Sequence, residues 1–568
     1  MAILPPRQLL AATVTTLRTL ANRRGGADSA RSLALLRTAA DGALGDMEVL
    51  LAYHDVLLFL LAYPATAAMR SLAARELTRV AAVARDIDAH GPARARAALR
   101  GSGIAWSAIT IAYGYPVVRW LVSRFPGCVD VDSFGERGAL LVEWLRHGLP
   151  PAEFELLASG EESPEALLDA GATGWHGSRL AWLVAQFERL PCDPALREAL
   201  YDSLELFVLL NPRDAPISRT FVRGLPAPAF YHRSPLLRSV DADRIIATAL
   251  PRARRLGRHA CQHLVDAGRA VLAMLGRETD PIAHADIART RHYHLGRGVD
   301  IALYSATPAH RSALDSHVGY VLFKNSVPIG YGGGWPFLGT CKIGINIFAP
   351  FRNGESAFLM ASVLRVYAQL FAVERFVVEP YQFGAGNREG LKSGAFWFYF
   401  RLGFRPVKPT LRAVALDEFE RMQRNPGHRT PLSVLRRLAG SDLERPVIRG
   451  APDACDPAAL SQAVTGWIAS RFRGRRDRAE AAALRGVATA LGLRETGGWS
   501  DDERNALRAM APVLAQIKDL HAWPAPDKRR LVALIRAKGG DEYRYFALLA
   551  DFARLRTGLN AVAENAAT

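Results

Sequence analysis

The chain changes its periodicity near residue 286, and no other feature limits its fold as much. From residue 1 to about 285, apolar residues recur three and four apart, as in Leu33, Leu36 and Ala40 or Leu57, Leu60 and Leu61. That spacing gathers them on one stripe of a helix. Pro150-Pro151, Asn211-Pro212 and Pro226-Ala-Pro228 divide this stretch into one or two bundles. From 286 to 415 glycines cluster and β-branched and aromatic residues rise, and Val299–Tyr304, Val318–Phe323 and Ile343–Phe348 read as strands. From 416 to 568 the helical texture returns, with an arginine-rich joint at Arg471–Arg478 and amphipathic segments near 479–492, 503–520 and 541–558. The expected fold is α+β: a mixed-sheet module over 286–415, flanked by a large N-terminal and a smaller C-terminal all-helical region.

With 49% hydrophobic and 22% charged residues, the 568-residue chain is too apolar for a disordered polymer. Its 72 Lys and Arg against 55 Asp and Glu give a net charge of +17, which favours anionic ligands without naming one. Cys128, Cys192, Cys261, Cys341 and Cys455 are scattered and odd in number, which argues against a disulfide framework and fits a reducing cytoplasm. The first residues lack a compact basic segment before their apolar run, so no signal peptide is expected. The apolar stretches 47–69 and 101–118 are interrupted by His54 and Asp55, and by Gly101, Gly103, Gly114 and Pro116. They read as buried helices rather than membrane spans.

Residues 317–408 carry the most information. HVGYVLFKN and PIGYGGGW are extended runs joined at Asn325-Ser326, the pattern of a hairpin. TCKIGINIFAP is a third run. It leads through Phe351-Arg352-Asn353-Gly354-Glu355-Ser356-Ala357 into a helix with Leu359, Val363, Val366 and Leu370 on one stripe. Arg375–Glu379 is a short strand; a second helix starts near Asn387, and Gly403 fits the left-handed position after it.

A strand that delivers the chain through a glycine-bearing turn to a helix start makes a candidate anion site. Amides at 354–357 would bear on the ligand together with the helix dipole and the Arg352 charge. A pyrophosphate suits it.

The order of strands, glycine turn and helix, closing on Tyr399-x-x-Leu402-Gly403-Phe404, resembles the GCN5-related N-acetyltransferase (GNAT) superfamily over about 285–415. The turn departs from the family's Q/R-x-x-G-x-G/A in having Phe351 and Ser356 at the first and last positions. The resemblance implies an acyltransferase that moves an acetyl group from acetyl-CoA, or another acyl-CoA, to an unidentified amine on a small molecule or protein. It places the pyrophosphate on Arg352, Asn353, Gly354, Glu355, Ser356 and Ala357, the pantetheine arm along Ile345, Ile347, Phe348 and Ala349, and a further cofactor contact on Asn387. Tyr399 would protonate the departing thiolate. Glu379, at a strand end, is the best carboxylate for a base, with His317, at the start of a strand, a further titratable candidate, and no metal is expected.

Two other functions stay open: a catalytically silent CoA-binding scaffold, and a nucleic-acid-associated modifying enzyme. The arginines at 252–258 and 471–478 read as solvated helix faces sooner than as phosphate grips, since aromatic interleaving is thin. Gly384-x-Gly386-x-x-x-Gly390 is one residue too long for a dinucleotide fingerprint, and His259 with His263 lacks a third ligand. Oligomeric state is not legible.

Overall fold

A computed structural model describes residues 6–21, 26–157, 163–448, 450, 455–493 and 496–567. Helices α1 (Pro6–Ala21) and α2 (Met47–Ala62) belong to an N-terminal helical layer. Asp46 starts α2 by accepting the Val49 N–H, the usual satisfaction of an orphan amide at a helix start. The expectation of an all-helical N-terminal region is corrected here. Strands β1 (Ile109–Ile111), β2 (Val129–Phe134) and β3 (Leu206–Leu210) form an antiparallel sheet with β3 in the middle. Residues 211–241 form neither helix nor strand.

The sheet-bearing unit follows helix α3 (Arg258–Ala273). Its strands are β4 (Arg291–Gly296), β5 (Val299–Ser305), β6 (Val318–Lys324), β7 (Val327–Phe337), β8 (Thr340–Ile347), β9 (Arg375–Val378), β10 (Arg405–Pro406) and β11 (Leu443–Pro446), in the order β10-β11-β9-β8-β7-β6-β5-β4. Every pair is antiparallel except β8 with β9. The C-terminal region is therefore not all-helical either: β11 lies beyond 415, inserted between β9 and β10. Its sequence, Leu-Glu-Arg-Pro, alternates too briefly to announce a strand, and the ladder offered by β9 recruits it.

The β6–β7 hairpin turns at Asn325-Ser326 as expected, with φ of 48° and 68°. Both residues in the left-handed region match the twist of the strands they join. The Asn325 amide then ties the turn to the N-terminal layer, donating to the carbonyls of Ala62 at 2.8 Å and Phe230 at 3.0 Å.

Both faces of β5 and β6 are covered, so these strands are buried at every position. On one face lies α3, whose Gly268 packs so closely that an added Cβ would sit 2.7 Å from Val321. On the other lies α4 (Ser356–Leu370), whose Tyr367 hydroxyl donates to the Val318 carbonyl at 2.6 Å. The last strand-crossing helix comes in two pieces, α5 (Arg388–Ser393) and α6 (Ala395–Arg401), broken where Gly394 turns left-handed at φ 68°. Gly403 follows at φ 93°, and the Phe404 amide reaches back to the Tyr399 carbonyl, which closes α6.

C-terminal helices buttress the loop entering β6. Buried Lys538 donates to Glu542 at 2.8 Å and to Ser316, and the Tyr545 hydroxyl donates to the Leu314 carbonyl. Among the described residues no helix is long and apolar enough to cross a membrane.

Candidate functional site

Strands β8 and β9 pair only over Thr340–Arg375, Cys341–Phe376 and Lys342–Val377. Beyond that point they diverge: β8 continues along β7 as far as Ile347, while β9 is held on its other side by β11. Parallel strands that part this way leave a fork, with the backbone of Gly344–Ile347 forming one arm.

Side chains alternate across β8. Cys341 packs with Tyr367 around Gly334, so Cys341, Ile343 and Ile345 look toward α4, and Lys342, Gly344 and Asn346 look the opposite way.

Tyr399, on α6, reaches into the fork. Its ring is 2% exposed, packed edge-on against Phe383, Phe398 and Phe404, and its hydroxyl oxygen accepts the Ile345 amide. Burial pushes the phenol well above its ordinary range, so the hydroxyl stays protonated at neutral pH. Of the two chemically pointed residues expected from the sequence, this one lies on the backbone arm expected to carry the pantetheine.

Glu379 sits at the fork's mouth. Its carboxylate pairs with Lys342 at 3.0 Å, both side chains about half exposed. The polar face beside it holds further groups. Gln382 lies over Gly344, where an added Cβ would come within 3.0 Å of its amide nitrogen. The Tyr331 hydroxyl receives Asn346 and Arg277, each at 3.4 Å. His317 stacks on Trp335 with ring centres 3.7 Å apart, and burial draws its imidazole down to about 4, so it stays neutral.

The glycine turn is built differently from expectation. Helix α4 begins at Ser356, two residues after Gly354. The Gly354 amide donates to the Phe351 carbonyl at 2.9 Å, and the Tyr63 hydroxyl, just past the end of α2, lies against the Glu355 backbone. Of the four amides expected to face an anion, that of Gly354 is thus occupied and that of Glu355 is covered by the Tyr63 ring. Ser356 and Ala357, half-buried at the start of α4, carry amides that a helix leaves without intrahelical partners.

Glu355 is not a surface charge at a helix start. Its side chain is fully buried: one oxygen accepts Arg297 Nε at 3.0 Å and the Leu237 amide at 3.1 Å, and the other accepts Lys324 Nζ at 2.8 Å. Burial alone would raise this carboxyl, but Lys324, Arg297 and the amide together hold it at about 2. Lys324, equally buried, also donates to the Arg297 carbonyl at 2.6 Å and lies 4.8 Å from the Tyr63 ring centre. Burial brings its ammonium down to about 8. This cluster joins α2, the β4–β5 and β6–β7 turns and the start of α4.

Gly354 is required by this packing. An added Cβ would lie 2.7 Å from the Tyr63 oxygen and 3.0 Å from the Phe351 carbonyl. Gly354→Ala is expected to destabilise the fold by about 1–3 kcal/mol through overpacking, measured by denaturant unfolding. Lost ligand binding in a Gly354 variant would therefore not report on an anion.

Arg352 and Asn353 are exposed. Arg352 donates from Nε to the Ile347 carbonyl at 3.1 Å and pairs with Glu389 of α5, so it bridges the two sides of the fork. Asn353, Ala349 and Pro350 line a shallow cleft with Arg18 and Asp55 of the helical layer. Asn387 caps α5: its side chain accepts the Gly390 amide at 2.9 Å and donates to the Tyr381 carbonyl at 3.0 Å. Its amide group is used locally. Ile347 and Phe348 are buried, and the Phe348 amide donates to the Ile329 carbonyl at 3.0 Å.

No family model matches the chain, and no curated protein or solved structure matches it.

Proposed function

We propose that the chain is an acyl-CoA-dependent acyltransferase of the GNAT type, moving an acetyl group to an amine. The observation that carries this reading is the fork between β8 and β9, with the protonated Tyr399 hydroxyl held inside it at the Ile345 amide.

In this reading the pantetheine arm runs along Gly344–Ile347, and the thioester carbonyl competes with Tyr399 for the Ile345 N–H, a donor fixed where negative charge builds on oxygen. The amine arrives across the polar face of Tyr331, Asn346 and Gln382. Its nitrogen forms a bond to the acyl carbon, the carbon–sulfur bond breaks, Tyr399 gives its proton to the sulfur, and Glu379 or water takes the proton from nitrogen. The pyrophosphate falls to Arg352, Asn353 and the amides of Ser356 and Ala357.

Arg352 tests the donor end without touching the core. Its exposed pair with Glu389 contributes at most about 1 kcal/mol to stability. Arg352→Ala should leave the melting temperature nearly unchanged and weaken acetyl-CoA binding about tenfold, the loss of one charge-assisted contact. Glu389→Gln, which releases Arg352, should tighten it. Calorimetric titration reads both, and equal affinities in all three proteins would remove the pyrophosphate from this turn.

A second reading, a silent CoA-binding scaffold, is favoured by the occupied Gly354 amide and by Tyr63 packed against the turn. Binding of acetyl-CoA without thiol release across a broad amine panel would select it.

A further inference from the structure

Away from the fork, three segments distant in sequence bring a carboxylate and two imidazoles together. Glu198 lies in the helix Pro194–Asp202, His284 follows the short helix Asp280–Ala283, and His310 ends the turn Pro308–His310. Glu198 Oε2 is 3.6 Å from His284 Nε2, and Oε1 is 3.7 Å from His310 Nε2. One donor atom from each residue lies within 4.8 Å of the other two.

These separations are too long for hydrogen bonds. They are close to those of donors sharing one ion: bonds of about 2.0–2.1 Å at tetrahedral angles put ligand atoms roughly 3.3 Å apart. Around an ion the two Glu198–imidazole distances would shorten by a few tenths of an ångström, and the imidazoles would turn their nitrogens toward it.

The surroundings suit a cation. Asp202 and Asp280 face the cluster, with Arg119 and Arg269 as the opposing charges. Thr307 Oγ1 lies 2.9 Å from His310 Nδ1, the outer contact that orients a ligating ring. The His284 side chain is 16% exposed beside it. Its ring stacks on that of His310 with centres 3.6 Å and planes 13° apart. Coordination asks the rings to open, and the more exposed His310 is the one with room to turn.

We propose that Glu198, His284 and His310 bind one divalent transition metal of the zinc class, fastening the helical N-terminal region to the sheet-bearing unit. Imidazole nitrogens with one carboxylate select such an ion over Mg²⁺ or Ca²⁺, which prefer all-oxygen sites. With three protein ligands, a fourth position is left to solvent.

Purified full-length chain, stripped with chelator and dialysed, is titrated with ZnCl₂ at neutral pH beside His284→Ala, His310→Ala and Glu198→Gln. The wild type should take up one Zn²⁺ per chain, unaffected by millimolar MgCl₂. Each variant should bind it about a hundredfold more weakly or worse, given that even outer partners of zinc ligands are worth about 10- to 100-fold. Far-ultraviolet dichroism confirms that the variants fold. Should a variant unfold, Co²⁺ added to the wild type decides: intense visible absorption of a four-coordinate site supports the assignment, and a pale six-coordinate spectrum overturns it. Undiminished Zn²⁺ stoichiometry and affinity in folded His284→Ala and His310→Ala would also overturn it.

Discussion

Replacing Glu355 with glutamine should lower stability by about 3–5 kcal/mol, the loss seen when one partner of a buried ion pair is removed and the other stays unpaired. Lys324 is 0% exposed and, among the described residues, donates to one acceptor besides Glu355, the Arg297 carbonyl, so its charge has nowhere to go. Removing both charges as Glu355→Leu with Lys324→Met should recover most of the loss, because an apolar pair of similar volume needs no desolvation. Arg297 is partly exposed and can turn to water in that background. Denaturant unfolding of the three proteins tests this, and a single variant as stable as wild type would contradict it.

The same pair sets an acid limit. The Glu355 carboxyl is lowered from 4.5 to about 2 on folding, so the unfolded chain binds the proton more readily. Its contribution is fully present above pH 4.5 and is lost as pH falls toward 2, amounting to about 3 kcal/mol. In Glu355→Gln this part of the acid-unfolding slope should disappear.

Tyr399→Phe should lower kcat by about 10²–10⁴ while acetyl-CoA binding changes little, because the phenol is assigned to proton transfer and not to holding the donor. The ring keeps its aromatic contacts, and loss of one buried hydrogen bond costs about 1 kcal/mol. Single-turnover kinetics separate the chemical step from binding. An unchanged rate in this variant, with binding intact, would take the acid role from Tyr399 and leave the fork standing.

What could be read from the sequence was whatever local pattern decides. Asn325-Ser326 marks its hairpin because few residues accept two successive left-handed positions, and Gly403 marks the end of α6 for the same reason. The strands β5 and β6 show as largely apolar runs, Asp300, Ser305 and Lys324 apart, because both their faces are buried.

The rest depends on partners far along the chain. Strand β1 is three residues long and β11 ends in Pro446, so each gains its structure from a neighbour: β3 in one case, β9 and β10 in the other. Glu355 reads as a helix-start charge, and only the arrival of Lys324, Arg297 and Tyr63 makes it a buried one. The cluster of Glu198, His284 and His310 has no spacing signal at all, since 86 positions separate the first two.

The central claim is that the fork between β8 and β9 receives the acyl donor. Hydrogen exchange of the full chain with and without acetyl-CoA tests it most directly. The account predicts slowed exchange of the amides of Gly344–Ile347 and of Ser356–Phe358, with the interior of the C-terminal helices unaffected. Saturating acetyl-CoA that leaves both segments exchanging at their original rates would contradict it.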